Sequence, residues 1–145
     1  MGYKEYKELD LPNTQKNILK KWEEDDTFNT CIKEGEGRPM FTFYEGPPSA
    51  NGMPGIHHVI ARTLKDLFCR YKTLQGFQVH RKAGWDTHGL PVELGVEKSL
   101  GITKEDIGDT ISVDKYNQAC RKDVMKFKGE WEKLTKKMGY WVDME

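Results

Sequence analysis

The sequence has few cysteines, no net charge and no long apolar run, and each shortage excludes a class of protein. Its three cysteines, Cys31, Cys69 and Cys120, are far apart, as is typical of reduced thiols in a cytoplasmic protein. Twenty-three basic residues balance twenty-three acidic ones, so no overall field draws the chain to nucleic acid or membrane. No apolar run approaches the roughly 20 residues of a membrane span. A chain of 145 residues with 37% apolar content is long enough for one domain with a hydrophobic core.

Hydrophobic spacing predicts an α/β order for the first half of the chain. Asn13 or Thr14 is expected to cap a first helix that ends early, because an acidic cluster at 23–26 opposes the helix dipole. A buried strand is predicted at 40–44 and a second strand at 77–81. Between them, an amphipathic helix is expected to run from near residue 57 to a stop at residue 76. The order strand, loop, helix, strand predicts a βαβ unit with parallel strands.

Two further helices are predicted in the second half. One covers 90–100 and ends at Gly101. The other is a single long helix that Ser112 caps and Gly139 terminates. Its apolar positions step by four and three and include Trp131, whereas its other faces carry a charged and solvated surface.

The Gly- and Pro-rich stretch 46–58 follows the first predicted strand and opens a helix. Backbone N–H groups at a helix start form an anion site, and Gly52 and Gly55 permit close backbone approach. His57 and His58 can donate hydrogen bonds to phosphate oxygens there, where negative charge grows during phosphoryl or nucleotidyl transfer. The alternative is structural, with one ring capping the helix and the other in the core.

The stretch 84–93 combines an acid, a large aromatic, a histidine, glycine and proline, which suits a shaped loop. Asp86 is a candidate acceptor for an ammonium group, Trp85 can cover an aliphatic side chain, and His88 can face the same ligand or a ribose. The alternative is a tight turn in which Asp86 accepts local N–H bonds and Trp85 is core. Because both loops leave predicted parallel strands at the same end, they are expected to form one site.

These two loops resemble those of the isoleucyl-tRNA synthetases, within the class I synthetases of the Ile/Val/Leu subgroup. Tyr44-Glu45-Gly46-Pro47-Pro48-Ser49-Ala50-Asn51-Gly52 looks like the family's first catalytic loop. The stretch 84–93 looks like Gly-Trp-Asp-x-His-Gly-Leu-Pro-x-Glu, whereas the valine enzymes usually have Gly-Thr-Asp-His-Ala-Gly there. The leucine enzymes have Gly-Trp-Asp-Ala-Phe-Gly. The resemblance covers nearly the whole chain but only the first part of the family's architecture.

For the fold, the resemblance implies an α/β class: the first half of a Rossmann-like parallel-sheet nucleotide-binding domain, with an N-terminal helix and a long C-terminal helix. Residues 1–38 would be an N-terminal helical extension, and residues 39–145 the first half of the catalytic domain. On this basis the chain is expected to be an N-terminal fragment that ends near where an editing insertion would begin, inactive by itself.

For the site, the resemblance implies that Asp86 holds the amino group of isoleucine, with Pro47, Trp85 and His88 around the amino acid. ATP, accompanied by Mg²⁺, would contact Asn51, Gly52, Gly55, His57 and His58. The resemblance implies no metal ion bound by the protein itself. His58 would be the second His of the family's His-Ile-Gly-His signature. Here the sequence departs, because Gly55 stands where the first His is expected and His57 where Gly is expected. His57 must then either point away or replace the missing imidazole.

The implied activity is ATP-dependent activation of isoleucine and its transfer to tRNA(Ile), which would bind mainly through regions absent from this chain. Two alternatives stay open. One is a non-catalytic nucleotide-binding half-site module. The other is a metal-dependent hydrolase that uses His57, His58, Asp86 and His88, which are ligand types suited to zinc but lack a recognised spacing.

Overall fold

The structure is a computed structural model that describes residue 5 and residues 8–144. These residues form six α-helices and one 3₁₀ turn: α1 Leu11–Glu24, α2 Thr27–Glu34, α3 Ile56–Leu74, α4 Leu90–Leu100, the 3₁₀ turn Lys104–Asp106, α5 Val113–Val124 and α6 Lys128–Lys137. Among them, no helix is long and apolar enough to cross a membrane.

The predicted parallel sheet is absent from residues 8–144, so the Rossmann-like fold class is wrong for this structure. The segments predicted as strands, 40–44 and 77–81, meet at one isolated parallel bridge, Met40 with Gln78, and the loops that follow them meet at another, Ser49 with Asp86. The segment at 40–44 is also less buried than predicted, since Tyr44 is 91% exposed. Pro47 and Pro48 have no N–H to donate, which interrupts the ladder on the way to the second bridge. The paired segments therefore touch at single residues and do not form a sheet.

Helix α1 begins earlier than predicted. The carboxylate of Asp10 caps it by accepting the N–H of Asn13 at 3.0 Å, so neither Asn13 nor Thr14 is the cap. Pro12 lies within the first turn, where a missing N–H costs nothing, and it therefore starts the helix instead of preceding it. The predicted early end is confirmed, because α1 stops at Glu24 inside the acidic cluster.

Helix α3 has the predicted extent, but its apolar side faces solvent. Its buried residues are Arg62 and Cys69, two turns apart on one face. The apolar positions that step by four and three are all more than half exposed: Ile60, Leu64, Leu67, Tyr71 and Leu74. The spacing thus identified residues that share a face, but the opposite face packs inward.

The helix predicted at 90–100 is confirmed as α4, which ends at Gly101 with φ of +67°. A left-handed residue at a helix end favours glycine, which explains the accuracy of this boundary. Val92 and Val96 of α4 are buried, and the helix packs against α5.

The single long helix predicted from Ser112 to Gly139 is wrong, because the structure has two helices there. Ser112 caps α5 by accepting the N–H of Lys115, as predicted, but α5 ends at Val124. The N–H of Phe127 donates to the carbonyl of Ala50 at 2.8 Å instead of bonding within a helix. This tertiary hydrogen bond ends one helix and starts the next.

The N-terminal helices pack against the C-terminal segment. The ring of Trp141 lies 5.1 Å from Trp22 and 6.1 Å from Phe28, both edge to face, between centroids. The side-chain amide of Gln15 donates to the carbonyl of Lys137. The division of the chain near residue 38 stays a prediction, and the predicted extension's residues 1–4, 6 and 7 lie outside the described residues.

Candidate functional site

The two loops singled out in the sequence touch through their backbones. The N–H of Asp86 donates to the carbonyl of Pro48 at 3.0 Å, next to the bridge between Ser49 and Asp86. Gly84 faces Pro47 closely, since a Cβ added to Gly84 would lie 3.7 Å from the Cβ of Pro47. The loop that carries the candidate ammonium acceptor is therefore fixed against the loop that leads into α3.

Trp131 of α6 connects these loops to the rest of the protein. Its side chain is 2% exposed, and its indole N–H donates to the carbonyl of Gly52 at 2.9 Å. Its ring lies 4.6 Å from His58 and 6.5 Å from Trp85, between centroids. The sequence placed Trp131 only on the apolar side of a helix. A buried indole needs a hydrogen-bond acceptor, but nothing in the spacing points to Gly52.

His58 is held in one orientation and one tautomer. Its Nδ1 accepts the N–H of Gly55 at 2.8 Å, so the ring proton is on Nε2, which is left as the donor. Burial lowers the pKa of His58, and the nearby His57 and Arg62 lower it further. His58 is therefore a neutral N–H donor at neutral pH, and its ring also caps the start of α3.

A cavity of about 220 Å³ lies beside His58. Its lining combines loop, α3 and α6 residues: Gly46, Pro48, Ser49, His58, Ala61, Arg62, Lys65 and Trp131. Two of these are cations, and each has an internal partner. The Lys65 ammonium lies 3.2 Å from the Glu45 carboxylate, and Arg62 Nη2 donates to the Thr135 hydroxyl at 2.5 Å.

Glu45 also anchors the last described segment. The Tyr140 hydroxyl donates to its carboxylate at 3.0 Å, and the Arg62 guanidinium lies over the Tyr140 ring, 4.8 Å from the centroid. Burial lowers the pKa of Arg62 and raises the pKa of Tyr140, which the negative charge of Glu45 raises further. Glu45, Tyr140 and Arg62 therefore connect the first loop to α3 and to the C-terminal segment.

Asp86 lies in a local turn at the surface of the second loop. Its Oδ1 accepts the N–H of His88 at 3.3 Å and lies 3.7 Å from Nδ1 of the His88 ring. The Asp86 side chain is 41% exposed, whereas that of His88 is 90% exposed. Trp85 is half-buried next to Trp131. The turn and an exposed carboxylate therefore coexist, and a ligand can reach Asp86.

The three histidines and one acid proposed as metal ligands form two pairs instead of one cluster. His57 and His58 have ring centroids 3.8 Å apart, and His88 pairs with Asp86. Within the part of the chain that the structure describes, no three His, Cys, Asp or Glu side chains are placed to hold a metal ion. This arrangement gives no support to the metal-dependent hydrolase.

The first loop is ordered by its own side chains. The Ser49 hydroxyl donates to Oδ1 of Asn51 at 2.9 Å, which leaves the amide N–H₂ of Asn51 as the donor end. Gly52 and Pro47 lie at the exposed rim of this loop. Gly55 and His58 follow at the start of α3, so the Asn51 amide and the His58 Nε2–H are side-chain donors of this region.

The sequence is similar to those of known proteins. The family model of tRNA synthetases class I (I, L, M and V) matches residues 17–145. The chain therefore belongs to the class I tRNA synthetase family. It is similar to the isoleucine–tRNA ligase of Bacteroides fragilis, with 69% identity over 143 residues, which are 99% of this chain and 12% of that protein.

Two relatives of lower identity have the same name. The isoleucine–tRNA ligase of Cytophaga hutchinsonii is 62% identical over 145 residues, which are 100% of this chain and 13% of that protein. The isoleucine–tRNA ligase of Thermus thermophilus is 45% identical over 143 residues, which are 99% of this chain and 14% of that protein. The chain thus spans 12% to 14% of the length of these curated relatives.

Proposed function

We propose that this chain supplies the isoleucine site and part of the ATP site of an isoleucine–tRNA ligase. The ligase uses ATP to convert isoleucine to isoleucyl-adenylate with release of pyrophosphate, and then transfers the isoleucyl group to tRNA(Ile). The observation that carries the proposal is the 3.0 Å backbone hydrogen bond between Asp86 and Pro48. It holds Asp86, the candidate acceptor for the isoleucine ammonium, beside the loop whose N–H groups would bind the ATP phosphates. The names of relatives at 45% to 69% identity support the choice of isoleucine.

The amino-acid side of the site centres on Asp86. Its accessible carboxylate would pair with the ammonium of isoleucine, and such charge-assisted hydrogen bonds are among the strong ones. Trp85 and Pro47 would cover the branched aliphatic side chain, and His88 would close the outer edge. Because a hydrophobic pocket rejects a missing methylene by only about 1–3 kcal/mol, valine would be the main competitor.

The ATP side centres on the start of α3. The neutral Nε2–H of His58, the Asn51 amide and the backbone around Gly52 would donate to phosphate oxygens, helped by the positive end of the helix dipole, while Gly55 permits close approach. Mg²⁺ would accompany the ATP and neutralise part of its charge. In this arrangement His58 contacts the nucleotide, while Trp131 only holds the His58 ring in position.

The reaction needs alignment more than covalent catalysis. A carboxylate oxygen of isoleucine attacks the α-phosphorus of ATP, the bond to the bridging oxygen breaks, and pyrophosphate leaves with the electron pair. The enzyme has only to hold the two substrates in line and stabilise the growing negative charge. Binding of tRNA(Ile) would depend mainly on regions outside this chain. Because Cys31, Cys69 and Cys120 are free thiols, a reducing compartment such as the cytoplasm fits the proposal.

Calorimetric titration of the chain with Mg²⁺-ATP, isoleucine and a non-hydrolysable isoleucyl-adenylate analogue tests the proposal. The analogue should bind most tightly, because it engages both loops at once, and valine should bind more weakly than isoleucine. Isoleucine-dependent exchange of pyrophosphate into ATP separates a catalytic chain from a half-site module that binds without turnover. Absence of binding by all three ligands would contradict the proposal.

A further inference from the structure

We infer that the outward side of α3 is the surface on which the remaining part of an isoleucine–tRNA ligase packs against this chain. The inference goes beyond the proposed function, because it rests on the exposure of α3 and the length of the relatives, not on the binding of isoleucine or ATP. Seven apolar side chains form this surface, the apolar stripe: Ile56, Ile60, Leu64, Leu67, Phe68, Tyr71 and Leu74.

The apolar stripe follows α3 from its first residue to its last. Its members are 52% to 86% exposed, and from Ile60 to Leu74 they recur at steps of four and three, with Phe68 beside them. At a rise of about 1.5 Å per residue the stripe is roughly 27 Å long. A contiguous apolar patch of seven large side chains is of the size that marks an interaction surface.

The charged side chains of α3 lie on its other side, against this chain. The Lys65 ammonium pairs with the Glu45 carboxylate at 3.2 Å, and Arg70 Nη2 donates to the carbonyl of Gly139 at 2.6 Å. A surface helix normally has the reverse arrangement, with its charged side in water and its apolar side in the core. The helix contains five Asp, Lys or Arg residues, and all are buried or half-buried: Arg62, Lys65, Asp66, Arg70 and Lys72. The apolar stripe therefore lacks the element that would cover it.

The composition of the stripe favours a permanent occupant. Phe68 and Ile56 widen the stripe beyond the narrow seam of two paired helices, and a wide apolar face packs on a core. The other exposed residues of α3 are His57, Ala61 and Thr63, so α3 itself offers no exposed Asp, Glu, Lys or Arg that would select a transient partner. Permanent interfaces are apolar in this way and resemble a domain core cut in half.

The length of the relatives indicates what this occupant is. The chain corresponds to 12% of the Bacteroides fragilis ligase and 14% of the Thermus thermophilus ligase, so most of such a protein lies outside the matched stretch. A part of that remainder is the occupant to which the inference commits, and a second copy of this chain is the competing one. Because the stripe begins at Ile56, the packed part would border the candidate ATP site.

Thiol labelling in two proteins tests the inference. One is the chain by itself, and the other is a chimera in which its 145 residues replace the matching stretch of the Bacteroides fragilis ligase. Ile60→Cys and Leu74→Cys place a thiol towards each end of the stripe, and peptide mass spectrometry follows their reaction with a maleimide. Both should label at least about tenfold more slowly in the chimera, because a buried thiol reacts only when the interface opens.

Lys20→Cys is the control for labelling, because the Lys20 side chain is 74% exposed on the charged surface of α1. Its rate should be the same in both proteins. Equal rates for the stripe thiols in the chain and the chimera would overturn the inference, as would a control that slows by the same factor. Slow labelling in the chain alone that becomes fast on dilution would assign the stripe to a second copy and would overturn it too.

A second measurement needs only the chain by itself. Leu64→Gln/Leu67→Gln replaces two central residues of the stripe and keeps good helix formers. The thermal unfolding midpoint should not fall, since both side chains face solvent when the occupant is absent. A clear fall would show that the stripe already packs within this chain, and the inference would be wrong even if the chimera did not fold.

Discussion

The indole N–H of Trp131 donates a hydrogen bond of 2.9 Å to the carbonyl oxygen of Gly52, although 79 positions separate the two residues in the chain. Gly52 lies in the loop that leads into α3, and Trp131 lies in α6. The same indole ring packs on His58. One buried side chain of the C-terminal part therefore fixes both the backbone and an imidazole of the candidate ATP site.

Trp131→Phe removes the indole N–H and keeps most of the apolar ring. We expect the free energy of unfolding to fall by roughly 1 kcal/mol, since the hydrogen bond to the Gly52 carbonyl is lost. Urea unfolding followed by circular dichroism measures this loss. Trp131→Ala should cost more, about 3–5 kcal/mol, because it also leaves a cavity. Equal stability of Trp131→Phe and the wild type would show that the hydrogen bond contributes nothing.

Thr135→Val tests the buried contact between α3 and α6. Thr135 is 1% exposed. Its hydroxyl accepts a hydrogen bond from Arg62 Nη2 at 2.5 Å and donates one to the Trp131 carbonyl at 2.8 Å. Valine has the same shape but leaves the guanidinium N–H without this partner, so we expect a loss of roughly 2 kcal/mol in the free energy of unfolding. Thr135→Ser, which keeps the hydroxyl, is the control and should lose much less. Similar losses for the two variants would assign the effect to packing.

Local signals predicted the parts of the fold that local chemistry determines. The bounds of α4 follow from Gly89 and Gly101, because both adopt positive φ values that favour glycine. The extent of α3 likewise follows from its periodicity. Which face of α3 packs inward could not be predicted, since a periodic pattern groups residues by side without naming the partner. The buried face instead holds Arg62. Arginine is usually exposed, so a sequence pattern predicts it at the surface.

Contacts between distant residues were beyond the sequence pattern. The parallel sheet was expected because two β-prone segments flank a helix, yet their pairing is limited to single bridges such as Met40 with Gln78. The break between α5 and α6 depends on one hydrogen bond from Phe127 to Ala50, which no local propensity encodes. In the candidate site, the two loops were singled out from their composition. Trp131 was missed because it reaches them from another helix.

His58 should make stability depend on pH. Burial lowers its pKa below the ordinary 6.5, so the unfolded chain binds a proton more readily than the folded protein. The free energy of unfolding should be highest above pH 6.5 and should fall as the pH decreases from 6.5 through the lowered pKa. Urea unfolding at pH 7.5 and pH 5.5 measures the fall, and His58→Asn should show a smaller one because it cannot take up the proton. A fall of the same size in the variant would remove His58 as its source.

Asp86→Asn separates the charge of Asp86 from its role in the turn. The asparagine Oδ1 can still accept the His88 N–H, which lies 3.3 Å from Oδ1 in the wild type, so the loop should keep its shape. The negative charge that would hold the isoleucine ammonium is lost. We expect isoleucine to bind about thirtyfold more weakly, the equivalent of roughly 2 kcal/mol, while the affinity for Mg²⁺-ATP stays unchanged. Calorimetry with each ligand measures both affinities, and Asp109→Asn, an exposed acid outside the two loops, is the matched control. Unchanged isoleucine affinity in Asp86→Asn would contradict the assignment of the ammonium to Asp86, whereas equal losses for isoleucine and ATP would mean that the substitution had disturbed the whole site.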